Sequence, residues 1–207
     1  MKEKALICAF SLNYLAHAYL SFENPEWLVG QFIADDVKGK KYLDYPPGIQ
    51  QGILLHRFVD SYTDTSAVCL ELRHILSAEL GLYTSVAMDV FFDHILAVRW
   101  NDYSAVPRRE FISNVYKILA ANTFPVPGKM GFIIGKMAEM DWLGRYATME
   151  GTALTLRQMA SRVPKGAILE KAPAVLKDHL KKINETFEIF FPQLISASEF
   201  KLDTFAT

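Results

Sequence analysis

Apolar residues recur along nearly the whole chain three or four positions apart, the period of an amphipathic helix rather than the alternation of a strand. In "YPPGIQQGILLHRFVDSYTD" (Tyr45–Asp64), Ile49, Ile53 and Val59 keep that period behind two opening prolines. "ENPEWLVGQFIADDVKG" offers Asn24 as an N-cap, Pro25 at the first helical position and Gly39 as a stop. Further helices are predicted at 66–80 (ended by Gly81), 84–100, 105–121 with Pro107 in the first turn, 129–146, 149–161, and 172–190 before Phe191-Pro192. No segment alternates with period two, and no Asn-Gly or Asp-Gly dipeptide marks a hairpin. "ANTFPVPGK" (Ala121–Lys129) is the best candidate loop and is too short to separate two domains. The pattern predicts one compact all-α domain over residues 1–207.

Composition supports that picture. The chain has 207 residues, 51% of them hydrophobic, enough for a substantial core, and its 22% charged content argues against disorder. A net charge of −1 removes any whole-molecule signature of nucleic-acid binding. Cys8 and Cys69 form no CxxC pair, so neither a thiolate zinc site nor a disulfide framework is expected, and a reducing, cytoplasmic setting follows. "MKEKALICAFSLNYLAHAYL" has the outline of a cleavable leader, with Ala16-His17-Ala18 as its site. Asn13 and His17 interrupt its apolar run, however, and Glu3 dilutes the positive start. No apolar stretch reaches the roughly 20 residues of a membrane span, so no membrane is expected as a partner.

What changes the picture is charge inside apolar helices. His56, Asp60 and Asp64 lie four residues apart and fall within an arc of about 80°, among Ile53, Leu54, Leu55, Phe58 and Val59. "MDVFFDHILAVRW" (Met88–Trp100) repeats the theme with Asp89 and Asp93 at i, i+4 and His94 adjacent. Asp35 ends a helix carrying Trp27, Leu28, Phe32 and Ile33, and "NYLAH" sets Asn13 and His17 one turn apart.

Each has a plain alternative. His17 suits a hydrogen-bonded core position, Asp35 and Asp64 suit helix ends, and Asp36 suits the surface. Arg57 and Arg99 could neutralise Asp60 or Asp93 as ion pairs. Taken together, three of the five histidines sit in apolar helices close to an aspartate, whereas His74 and His179 have surface surroundings. A shared divalent cation removes the desolvation cost that each group faces alone. Mixed oxygen and nitrogen donors suit Mn²⁺, Fe²⁺ or Zn²⁺. On spacing alone, the metal reading and the ion-pair reading stand level. A bound divalent ion lowers the pKa of water and polarises a phosphoryl oxygen, the requirements of phosphate-ester hydrolysis. No GxSxG elbow, P-loop or GxGxxG offers a competing chemistry.

The stretches "NYLAHAYLS" (Asn13–Ser21), "LVGQFIADDVKG" (Leu28–Gly39), "YPPGIQQGILLHRFVDSYTD" (Tyr45–Asp64) and "MDVFFDHILAVRW" (Met88–Trp100), in that order, resemble the acyl carrier protein phosphodiesterase (acyl carrier protein hydrolase) family. Weaker similarity runs through "MASRVP" and "FEIFFPQL". The resemblance implies an HD-type helical metal-dependent phosphohydrolase. Its reaction removes 4′-phosphopantetheine from the serine of holo-acyl carrier protein, with Mn²⁺ as the metal (Fe²⁺, Mg²⁺ or Zn²⁺ being alternatives). It places Asp35 at the family's "AD" aspartate, His56 and Asp60 in "HRxxD", Asp93-His94 in "DH", and His17 at the N-terminal histidine. The expected metal set is therefore His17, Asp35, His56, Asp60, Asp93 and His94. The expected catalytic set is Asp35, His56, Asp60 and Arg57, with Arg57 holding a phosphate oxygen.

Lys38, Lys40 and Lys41 are candidate docking residues for an acidic carrier protein. The chain departs from common family forms at Gln31 (usually Asn), at Phe58 (often basic) and at Thr65-Ser66-Ala67, where many members have a proline-containing turn. Residues 1–12 read as either an N-terminal extension or the product of a mistaken start codon. The rival readings are a phosphohydrolase acting on a nucleotide or other small phosphodiester, and a non-catalytic helical binding module held by structural ion pairs.

Overall fold

The computed structural model describes residues 14–128, 130–161 and 163–205. The expectations about Cys8, Asn13, the leader and the N-terminal extension concern residues outside these ranges. The described residues form helices and short 3₁₀ turns, with no strand among them: α1 (Tyr14–Tyr19), α2 (Pro25–Ile33), α3 (Pro47–Thr65), α4 (Ala67–Leu80), α5 (Thr84–Val98), α6 (Arg108–Ala121), α7 (Met130–Glu139), α8 (Trp142–Arg145), α9 (Met149–Ala160), α10 (Ala172–Asp178) and α11 (Leu180–Asp203). The all-α expectation is borne out.

Local chemistry explains several boundaries. Asn24 Oδ1 accepts from the backbone N–H groups of Glu26 and Trp27, at 3.0 and 3.1 Å, and so starts α2. Gly81, at φ +52°, closes α4.

Several boundaries differ from the sequence reading, and α2 ends at Ile33 rather than at Gly39. The helix expected at 129–146 is divided at Asp141, which adopts φ +46° and accepts from Gly144 N–H to start α8. The segment expected at 172–190 divides at His179, and its second part runs on through Pro192. A helix-interior proline costs roughly 3 kcal/mol. Pro192 lies on the exposed face of α11, while Phe187, Phe190, Phe191 and Leu194 are buried on the other. Phe187 stacks on Phe191 at 4.7 Å and Phe190 on Phe92 at 5.6 Å, and burial of that aromatic face offsets the missing backbone bond. Finally, residues 67–98 taken as one segment are long and apolar enough to cross a membrane, contrary to the expectation that no apolar stretch reaches that length. The structure breaks the segment at Gly81 into α4 and α5, which pack against each other.

Two contacts position the site. Helix α2 crosses α3 with backbone against backbone: a Cβ on Gly30 would lie 2.3 Å from Ile49 O, and one on Gly52 would lie 2.3 Å from Trp27 O. Only glycine permits that approach, and Trp27 Nε1 donating to Gln51 Oε1 at 2.9 Å fixes its register. Helix α1 packs between α2 and α5, while α11 covers α3, α4 and α5 from another side.

Candidate metal centre

Three segments converge beside the α2–α3 crossing. His56 and Asp60 project from successive turns of α3, Asp35 follows α2 in the 3₁₀ turn Ala34–Asp36, and His17 comes from α1. The rings of His17 and His56 stack with centroids 4.1 Å apart and planes 16° apart. His17 Nε2 lies 3.3 Å from Asp60 Oδ1, and His56 Nε2 lies 3.3 Å from Asp60 Oδ2 and 3.5 Å from Asp35 Oδ1. His17, His56 and Asp60 each offer a ligand atom within 4.8 Å of the others, close enough to hold one metal ion. The imidazoles are buried, whereas the Asp60 side chain is 40% exposed, so the cluster has a dry wall and an open side.

Burial disfavours a charged imidazole at both histidines, and the two respond differently. At His17 burial and the neighbouring His56 outweigh the help of Asp60 and Gln31, so its pKa falls and the ring stays neutral. At His56 burial is overcome by Asp60 and Asp35, which push the imidazole up to about 10. Asp60 is held low despite its own desolvation, because His56 and His17 both favour its anion. A proton on His56 thus occupies the position a cation would take, and a metal ion binding there displaces it. A finished ion pair would place its nitrogens in hydrogen-bonding geometry. Instead both Nε2 atoms, and His56 Nδ1 as well, are buried with no hydrogen-bond partner. Two buried imidazole Nε2 atoms turned toward one carboxylate fit a divalent cation once the His56 proton is displaced.

The structure does not bring every expected residue to this cluster. Asp93, fully buried, accepts from the backbone N–H groups of Leu15 and Ala16 at 2.9 Å each. Its two oxygens are committed to the start of α1, so it anchors the helix that carries His17 rather than lying among the ligand atoms. His94 has Nδ1 2.7 Å from Tyr146 O and 3.2 Å from Thr152 Oγ1, tying α5 to the α8–α9 region. Arg57 donates to Val37 O at 2.6 Å and Gly39 O at 3.0 Å and lies over the Tyr42 ring, so it fastens the segment after Asp35 and neutralises neither Asp60 nor a ligand. Asp64 pairs with Arg73 at 2.7 Å on the surface. Arg99 pairs with Asp102 and Glu188.

Asp89 is half-buried, and burial together with Asp60, Asp93 and Asp64 raises its carboxyl well above the usual range. Gln31, noted in the sequence only as a departure, has Oε1 2.6 Å from His17 Nδ1. Its place one turn before Asp35 in an apolar helix was the signal available for it.

The anchoring role of Asp93 has a measurable consequence. Asp93→Asn leaves one carbonyl acceptor and turns an amide donor toward a backbone N–H. An unsatisfied buried donor costs about 1–3 kcal/mol, and denaturant unfolding should show a loss of that size. Metal affinity should weaken through displacement of His17 but persist; complete loss of binding in a stably folded variant would make Asp93 a ligand after all.

Fold and site together define an all-α protein whose His/Asp cluster can hold a divalent cation. Residues 12–194 match the family model described as acyl carrier protein phosphodiesterase. The chain belongs to that family and is a phosphodiesterase. It is 30% identical over 193 residues to the acyl carrier protein phosphodiesterase of Yersinia pestis, covering 92% of this chain and 99% of that one. The same coverage and identity hold for the protein of that name from Yersinia enterocolitica. For the Photorhabdus laumondii protein the identity is 28%, over 92% of this chain and 96% of that one. No solved structure matches the chain.

Proposed function

We propose that this chain hydrolyses the phosphodiester joining 4′-phosphopantetheine to the serine of holo-acyl carrier protein, using a divalent cation held by His17, His56 and Asp60 with Asp35 beside them. The observation that carries this reading is the pair of buried, partnerless Nε2 atoms facing Asp60, in a chain of the acyl carrier protein phosphodiesterase family. Mn²⁺ suits a mixed imidazole and carboxylate donor set.

When bound, such an ion supplies Lewis-acid polarisation and makes water more acidic. The protein's own contribution is positional. The stacked imidazoles and their apolar surroundings keep water from the inner wall, and the exposed edge of Asp60 leaves one side open to a phosphate. Asp35, next to His56 and 16% exposed at its side chain, is placed to exchange a proton with water or with the departing serine oxygen. Water adds to phosphorus and the serine Oγ–P bond breaks. The serine oxygen takes a proton, leaving apo-carrier and free 4′-phosphopantetheine.

Arg57 supports this by pinning residues 37–39, so that Asp35 stays beside His56. Lys38, Lys40 and Lys41 are exposed just beyond Asp35 and form a basic approach for an acidic carrier. Cys69 is free and buried, in keeping with the cytoplasmic setting proposed here.

The test is incubation with holo-acyl carrier protein, read by intact mass spectrometry. With Mn²⁺ the carrier should lose the mass of its prosthetic group. Prior chelation should stop the reaction, and returning Mn²⁺ should restore it. An unchanged carrier mass with metal-loaded enzyme would reject the substrate, and undiminished turnover after verified metal removal would reject the ion.

A further inference from the structure

Gln31 is 1% exposed on α2, with Oε1 2.6 Å from Nδ1 of His17, itself 1% exposed. An amide oxygen only accepts, so in this arrangement Nδ1 carries the imidazole proton. Nε2 is then an unprotonated lone pair. It is buried, has no hydrogen-bond partner, and lies 3.3 Å from Asp60 Oδ1. The opposite tautomer would place an N–H donor on Nε2 toward Asp60 and close that pair as an ordinary hydrogen bond. The two tautomers therefore assign the cluster different chemistry: one presents a nitrogen ligand, the other a finished structural contact.

We infer that Gln31 is a positioning residue that fixes His17 in its Nδ1–H tautomer and thereby presents Nε2 to the cation; this rests on the metal reading proposed above. Outer partners of metal-binding histidines act in this way, setting both ring orientation and tautomer, and their removal typically weakens metal binding about 10- to 100-fold. Gln31 is well placed for the task. It leaves α2 one residue past Gly30, where the backbone meets α3, so the amide is held by the tightest crossing in the neighbourhood of the site. The remaining Gln31 Nε2 also has no hydrogen-bond partner.

Three measurements test the inference. Long-range ¹⁵N NMR of the metal-free full-length chain should report His17 with its proton on Nδ1; a proton on Nε2 would overturn the assignment. Titration of metal-free protein with Mn²⁺ and with Co²⁺, by calorimetry and Co²⁺ absorption, should show Gln31→Leu binding about 10- to 100-fold more weakly. Gln31→Glu, which keeps an acceptor for Nδ1–H, should stay close to the parent. Unchanged affinity in Gln31→Leu, or an equal loss in Gln31→Glu, would overturn it. The effect of Gln31→Leu should vanish in a His17→Ala background, because it acts through that ring. An undiminished effect there would show a merely structural role. Parent protein that binds neither ion sinks this inference and the metal reading together. Normal metal behaviour without carrier hydrolysis leaves the inference standing and rejects only the substrate.

Discussion

Asp60→Asn is expected to lower turnover of holo-acyl carrier protein at least about a thousandfold, equivalent to roughly 4 kcal/mol of barrier, and to abolish stoichiometric metal binding. Asp60 is the group whose two oxygens reach both imidazoles, at 3.3 Å each. Its replacement leaves the two imidazoles with no carboxylate bridging them. The substitution is nearly isosteric, but it removes the anion that favours the charged form of buried His56, so the melting temperature should fall as well, and a cooperative melt confirms that the variant is folded. Elemental analysis of the purified variant and the carrier mass assay give the two readings. Asp64→Asn serves as the control. Asp64 sits one turn further along α3 but is spent on Arg73 at the surface, so both readings should match the parent. A fully active Asp60→Asn protein would remove the cluster from the chemistry.

That contrast between Asp60 and Asp64 shows how far the sequence could carry the site. Helical spacing placed His56, Asp60 and Asp64 on one side of α3, and the first two do meet, because a four-residue interval fixes neighbours on one helix whatever lies around it. Spacing says nothing about what faces a helix from outside. His17 and Asp35 entered through their charge in apolar segments and the ordered resemblance, and the fold places both beside His56. The same argument misplaced Asp93 and His94. A buried carboxylate was read as needing a cation, but the free N–H groups at the start of α1 meet the same need, and sequence cannot tell a helix end from an ion as the partner. Gln31 carried only a faint signal, for the converse reason. A neutral side chain raises no desolvation alarm, and its role appears only once α1 is packed against α2.

The helices themselves were legible where a local signal holds, as at Asn24 and Gly81, whereas α2 ends at Ile33, well before the Gly39 expected to stop it. Pro192 misled because a proline's cost is local while its compensation is tertiary. Four buried apolar residues on the opposite face of α11 outweigh one backbone hydrogen bond that the solvent side can do without. The division at Asp141 has the reverse origin. A left-handed aspartate is visible only in the backbone, and no glycine announces it.

The same locality problem makes a single chemical change carry opposite signs at two helical glycines. In an exposed helix, Gly→Ala is favourable by about 0.5–1 kcal/mol, since it restricts the unfolded chain and improves propensity. Gly135→Ala in α7 should show that gain, because nothing lies within 4 Å of the added methyl. At Gly52 the methyl would sit 2.3 Å from Trp27 O, 2.8 Å from Trp27 Cα and 2.9 Å from Gly30 Cα, all backbone atoms that cannot swing aside. Helices α2 and α3 must separate, and overpacking of this kind costs about 1–3 kcal/mol or more. Gly52→Ala should therefore lose about 3 kcal/mol net, or roughly 6–12 °C in melting temperature for a chain of this size; Gly52→Val should lose more. Separation also draws Asp35 and Gln31, carried by α2 and the turn after it, away from His56 on α3. Metal affinity should then fall even in the fraction that remains folded, whereas Gly135→Ala leaves it unchanged. Thermal melts and metal titration of the two alanine variants read both effects, and a neutral Gly52→Ala would mean that the crossing is looser than its backbone distances require.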